Sequence, residues 1–141
     1  MSTKDLQGII DAAFEERATL NLSTASSEVK NAVNDVLNGL DNGTLRVAEK
    51  KDGEWITNQW IKKAVLLSFK LHGNEITQIP GGAYYDKVPL KFLGYDSERF
   101  EREGLRICPG AVVRRGAFIE PTAVLMPSFV NIGLPSDLVH R

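Results

Sequence analysis

The sequence predicts an α+β N-terminal domain, helices plus a β-hairpin, followed by the first coil of a parallel β-helix with a hexapeptide repeat. Three observations carry that reading. Apolar residues recur at helical spacing in three segments before residue 72. Asp52-Gly53 stands between two alternating segments, a tight-turn signal. Residues 104–133 repeat with a period of six, which is neither the helical period nor the strand period.

Residues 3 to about 17 read as an amphipathic helix. Leu6, Ile9, Ile10, Ala13 and Phe14 share one face, and Ser2 or Thr3 can cap its start. Residues 27–40 read as a second helix through Val29, Ala32, Val33, Val36, Leu37 and Leu40, stopped by Asp41-Asn42-Gly43. The polar link between them suits an antiparallel pair. Residues 45–49 alternate, and residues 54–57 return after the Asp52-Gly53 turn. Asn58 is placed to cap a third helix, Gln59–Leu71, whose apolar residues run almost all round and predict the buried centre of the domain.

His72-Gly73-Asn74 turns the chain into a short strand at Glu75–Ile79, and Pro80-Gly81-Gly82 reads as a loop. Residues 86–92 alternate, but Pro89 confines them to an edge or irregular strand. Asp96 is placed to cap a short charged helix through Glu103, with Gly104 at its end. The expected division is a helical domain at residues 1–108, the start of the β-helix at 109–134 and an anomalous tail at 135–141.

Within the repeat, Val113, Ile119 and Leu125 recur six apart, with Asn131 at the next step. Ala117, Ala123 and Phe129 follow four places after the first three, and Val112, Phe118, Val124 and Val130 repeat beside them. The aliphatic and small members are expected inside the coil. Arg114, Arg115, Glu120 and Pro121 are expected at corners and outside. Three hexads make about one coil, while a solenoid needs about three repeats or more to bury a continuous core. After Gly133 the pattern stops, so the chain is expected to be the front part of a longer protein or one with an altered end.

Composition narrows the function classes. Basic and acidic residues nearly balance, 17 against 18, so nothing global points to nucleic acid or a membrane surface. The apolar runs are too short to span a bilayer, and the N-terminus lacks the pattern of a secretory signal. One cysteine cannot make an internal disulfide. Together these suit a cytoplasmic protein.

No phosphate loop, paired-cysteine metal spacing or nucleophile elbow is present. His72 lies in a turn signal and His140 in the tail, so a metal site is disfavoured. Cys108 in an apolar strand reads as core before nucleophile. Trp55, Trp60, Tyr84 and Tyr85 read as core or interface before a ligand cage. Arg99 and Arg102 share a helix with Glu98, Glu101 and Glu103, which favours a solvated face. Arg106 differs, because it lies in an alternating strand where the domain meets the coil. A lone arginine there suits bidentate binding of a carboxylate, and spacing alone favours a plain salt bridge.

The blocks L-R-V-A-E-K-K-D-G-E-W-I-T-N-Q-W-I-K-K-A-V-L-L-S-F-K (45–70), Y-Y-D-K-V-P-L-K-F (84–92) and A-V-V-R-R-G-A-F-I-E-P-T-A-V-L-M-P-S-F-V-N-I-G (111–133) closely resemble the tetrahydrodipicolinate N-succinyltransferases. The resemblance runs from the first helix to Gly133. It implies a homotrimer with a left-handed β-helix. It also implies transfer of succinyl from succinyl-CoA, a co-substrate and not a bound cofactor, to the amino group of the ring-opened dicarboxylate in diaminopimelate and lysine synthesis. An arginine in the strand before the β-helix binds substrate in that family. By resemblance this is Arg106, in E-G-L-R, and the salt-bridge preference is reversed. The family's catalytic aspartate is expected just past Arg141, and Asp137 is not at its position. No catalytic, coenzyme-binding or metal-binding residue is therefore assigned here, and residues 1–141 alone are expected to be inactive. The competing expectation is a non-catalytic module that associates through the open end of its coil. A different hexapeptide-repeat acyltransferase fits the repeat but not the long N-terminal blocks.

Overall fold

A computed structural model describes residues 2–134, so the expected tail at 135–141 and His140 lie outside the described residues. Helix α1 is Thr3–Glu15, with the Ser2 hydroxyl accepting from the Asp5 amide. Helix α2 is Ser27–Asn42, capped by Ser26 and ended by Gly43 in the left-handed region at φ 85°. No other residue type fits well there: a Cβ on Gly43 would lie 2.9 Å from the Phe118 ring. Strands β1 (Ala48–Lys51) and β2 (Glu54–Thr57) form the expected hairpin. Both turn residues have positive φ, 52° at Asp52 and 80° at Gly53, as a two-residue primed turn demands.

The first strand starts three residues later than 45–49 predicts. Leu45 and Val47 pack against the helical core instead, and the Leu45 amide bonds to the Gly39 carbonyl. Helix α3 is Gln59–Leu71. Asn58 does not cap it. Its amide N–H donates to the Arg46 carbonyl at 2.7 Å and to Glu49 Oε1 at 3.1 Å, so the residue ties the hairpin base together. That donation, first among its causes, holds the Glu49 carboxyl below its usual range. The three helices pack pairwise around Ile10, Val33, Val36, Ile61 and Leu67. Trp60 joins this core as expected, while Leu66 on the far side of α3 is exposed.

Strands β3 (Glu75–Ile79) and β4 (Gly82–Asp86) make a second hairpin. Sequence alternation places the second strand at 86–92, but the chain pairs earlier. Pro89 has no N–H to offer a ladder, and residues 87–92 keep only the isolated Leu90–Arg114 bridge. Helix α4 (Ser97–Glu103) is capped by Asp96 and ended by Gly104 at φ 70°.

The repeat region gives four short strands: β5 (Arg106–Ile107), β6 (Val112–Val113), β7 (Val124–Leu125) and β8 (Phe129–Val130). They pair in parallel, β5 with β7 and β6 with β8. A β-helix is not evident in the described residues, which form a small α+β domain of four helices and short strand pairs. The physical reason is length: one turn of chain offers each strand a single parallel neighbour. Val113, Ala117, Ile119, Ala123, Leu125 and Val130 nevertheless close a second apolar cluster, onto which Phe92, Leu105 and Ile107 pack.

One expected inward residue is not inward. Arg106 pairs with Val124, eighteen residues on, but Val112 pairs with Phe129, seventeen on. The last hexad is therefore one residue short. A one-residue slip reverses which side chain faces in, so Val130 is buried and Phe129 is 57% exposed.

Candidate functional site

Arg106 sits where α4 gives way to β5. Gly104 makes the turn in the left-handed region, and its carbonyl accepts from the Thr122 amide at 2.7 Å. A Cβ on Gly104 would approach the Thr122 nitrogen to 3.3 Å, so the turn is built for glycine. The Arg106 amide then bonds to the Ala123 carbonyl at 3.1 Å and the Cys108 amide to the Leu125 carbonyl at 2.8 Å. The backbone on both sides of Arg106 is thus fixed by the parallel pair. Its side chain is exposed, and no hydrogen bond or ion pair to its guanidinium is found among the described residues. The salt bridge that spacing alone favoured has no acceptor there. A fixed backbone with an unengaged planar cation can receive a carboxylate bidentately.

The neighbouring arginines differ from expectation. Arg114 and Arg115 are not simply exposed at a corner. Arg114 Nη2 pairs with Asp86 Oδ2 at 2.8 Å, and its Nη1 reaches Asn131 Oδ1 at 3.3 Å. Arg115 Nη2 donates to Asn34 and Asn38 of α2 at 2.8 and 2.6 Å. Arg114 and Asp86 border a cleft of about 450 Å³, with Tyr84, Tyr85 and Phe129 around it; Arg106 is not among its lining residues. Tyr84, Tyr85 and Trp55 are exposed and so belong to no core.

Arg99 behaves as the solvated-face reading expects on its Glu103 side, with a 2.9 Å pair, and it also stacks 3.8 Å over the Tyr95 ring. The Tyr95 hydroxyl donates to Glu103 Oε1 at 3.1 Å. Burial, then that carboxylate, pushes the Tyr95 phenol up to about 12. Cys108 is half-buried, its Sγ 3.6 Å from Met126 Sδ. His72 bonds through Nδ1 to the Ser68 carbonyl at 2.8 Å. No helix of the described residues is long and apolar enough to cross a membrane, and no group of three or more metal-ligating side chains is assembled among them.

Two residues that the sequence reading gives no polar partner, Asp41 at a helix stop and Lys91 in an alternating segment, are joined here. Lys91 Nζ meets Asp41 Oδ1 at 3.0 Å and the Asp41 carbonyl at 2.7 Å. They lie far apart in sequence, and only the alternation around Pro89 drew attention to that stretch. No local pattern announces such a pair.

Residues 5–71 match the family described as tetrahydrodipicolinate N-succinyltransferase N-terminal. Over 130 residues the chain is 56% identical to the 2,3,4,5-tetrahydropyridine-2,6-dicarboxylate N-succinyltransferase of Azoarcus sp. (strain BH72), covering 92% of this chain and 48% of that protein. It is 53% identical over 130 residues to the protein of that name from Yersinia enterocolitica, covering 92% and 47%. With the protein of that name from Legionella pneumophila (strain Paris) it shares 56% identity over 128 residues, covering 91% and 46%. The chain spans about half the length of the curated relatives it matches.

Proposed function

We propose that this chain, which belongs to the tetrahydrodipicolinate N-succinyltransferase family over the part it spans, serves succinyl transfer to an amino group of a dicarboxylate, and that Arg106 holds a substrate carboxylate. One observation carries the role of Arg106. Its guanidinium is exposed, without a partner among the described residues, on a backbone that the parallel ladder holds still. An arginine so placed lowers the free energy of a bound carboxylate without first breaking an internal pair.

Acyl transfer of this kind needs a deprotonated amine, a polarised thioester carbonyl and both held in line. Arg106 supplies binding and orientation only. The parallel pairs, with offsets of eighteen and seventeen residues, are read as the start of a left-handed β-helix. The acid/base and coenzyme groups are placed in the further coils of a homotrimeric, cytoplasmic enzyme that uses succinyl-CoA in diaminopimelate and lysine synthesis. Residues 1–141 by themselves therefore bind a dicarboxylate but do not turn over succinyl-CoA.

The test is a titration of the chain with heptanedioate, which keeps the carbon count of tetrahydropyridine-2,6-dicarboxylate, read by calorimetry and by the arginine side-chain NMR signals. Wild type should bind and shift the Arg106 signal. Arg106→Ala should weaken binding on the order of thirtyfold, the loss of a charge-assisted bidentate pair. Equal affinity in both would overturn the assignment, as would turnover of succinyl-CoA by the 141-residue chain for the predicted inactivity. The second reading, an association module, is favoured by the exposed Phe129, Met126 and Tyr85.

A further inference from the structure

The helical bundle and the repeat segment meet through a joint that includes partly buried polar contacts. At its centre is Lys91, whose side chain is only 4% exposed. A lysine so buried is rare unless paired. Its ammonium group touches both the carboxylate and the carbonyl of Asp41, in the last turn of α2, where the helix dipole also favours a cation. The same carboxylate oxygen, Asp41 Oδ1, accepts the Gly116 amide at 2.9 Å. Meanwhile the Lys91 amide bonds to the Val113 carbonyl at 2.9 Å. One residue pair thus grips the repeat segment at two points, Val113 and Gly116, and fastens both to the end of α2.

Apolar contacts also cross this joint, with Ile132 packed against the helical core, and two of them depend on close approach. Phe118 lies over Gly43 and Val47 over Gly133, each near enough that a Cβ on the glycine would come within 3 Å. Such contacts demand that the two parts be held in one position, and short-range packing is lost with small displacements. Removing Lys91 leaves the partly buried Asp41 carboxylate without its cation, and neutralising Asp41 leaves the buried Lys91 ammonium with only a carbonyl, so the cost falls on the joint and not on either core.

We propose that Lys91, Asp41 and the Gly116 amide form a latch that holds the repeat segment against the helical bundle, and that without it the second cluster opens while the helical core stays folded. The latch does not depend on the succinyltransferase reading, and its test involves no ligand. Hydrogen exchange is measured on the 141-residue chain for wild type, Lys91→Met, Asp41→Asn and Asn34→Ala/Asn38→Ala. The reporters are the Val112 and Arg114 amides, which bond to the Ser128 and Val130 carbonyls, against core amides of α2 and α3. Lys91→Met should speed exchange at the first set on the order of a hundredfold and leave the second within a fewfold. Asp41→Asn, which keeps an oxygen for Gly116, should act in the same direction and decides the matter if Lys91→Met does not fold. The asparagine variant removes only the exposed partners of Arg115 and should leave both sets unchanged. Unchanged rates in the latch variants, equal acceleration at both sets, or an equal opening in the asparagine variant would each overturn the proposal.

Discussion

Three arginines within ten residues meet different fates, and in each case the backbone around them decides. Arg114 is bridged to Leu90 and so faces the end of β4, where Asp86 waits. Arg115 follows it, on the opposite side of the chain, and reaches α2. Arg106 leaves the ladder exposed, with no acceptor for its guanidinium among the described residues. Tyr95 shows the same local logic applied to a proton. Its phenol is pushed from an ordinary value of 10.0 to about 12, first by burial and then by Glu103. The folded state therefore prefers the neutral phenol more than the unfolded chain does. The stabilisation is fully present below about pH 10 and is lost as pH rises toward about 12. Chemical denaturation at a series of alkaline pH values should show stability falling across that window, and Tyr95→Phe should flatten the fall. An equally steep fall in the variant would assign the alkaline loss to other groups.

At the scale of elements, the one-residue slip in the last hexad makes a sharp contrast between neighbours. Val130 is fully buried in the second cluster, whereas Phe129 stands 57% exposed. Val130→Ala should cost on the order of 2 kcal/mol through lost burial and a residual cavity. Phe129→Ala, though it removes far more carbon, should stay within about 0.5 kcal/mol. Urea unfolding of the two variants checks this, and the reverse order would mean that the repeat keeps its phase. The sequence could not make this distinction, because Phe129 and Val130 are both apolar and a period of six fits either. The helices were legible for the opposite reason. Ser2, Ser26 and Asp96 cap them within three residues, and apolar spacing marks the face that is buried. Asn58 misled because a hydrogen bond to Arg46, twelve residues back, outcompeted the local cap. Arg106 was legible as an unusual strand arginine, but its lack of an acceptor appears only when the ladder around it is built.

Across the whole molecule, what escapes sequence reading is what joins distant segments: Lys91 to Asp41, Arg115 to Asn34 and Asn38, Arg114 to Asp86. None has a periodic signature. Apolar periodicity finds each core but says nothing about which polar residues hold the cores together. It also fails to say where apolar surface is left open. Met126 is 55% exposed and Tyr85 73%, in addition to Phe129. Tyr85 and Phe129 share the rim of one cleft, while Met126 is the residue after β7. Large side chains exposed singly need no explanation, but several around a cleft tend to find a partner or to aggregate. The 141-residue chain should therefore self-associate as its concentration rises, seen as a loading-dependent increase in sedimentation coefficient. Replacing Tyr85 and Phe129 together by serine should move the population toward monomer, while Trp55→Ser on the β1–β2 hairpin, which does not line that cleft, should not. Because Phe129 contributes little to either core, the double variant should keep its fold, and its far-UV circular dichroism should match wild type. A wild-type chain that stays monomeric at every loading would instead mean that the open cleft is too small, or too well hydrated by Arg114 and Asp86, to drive association.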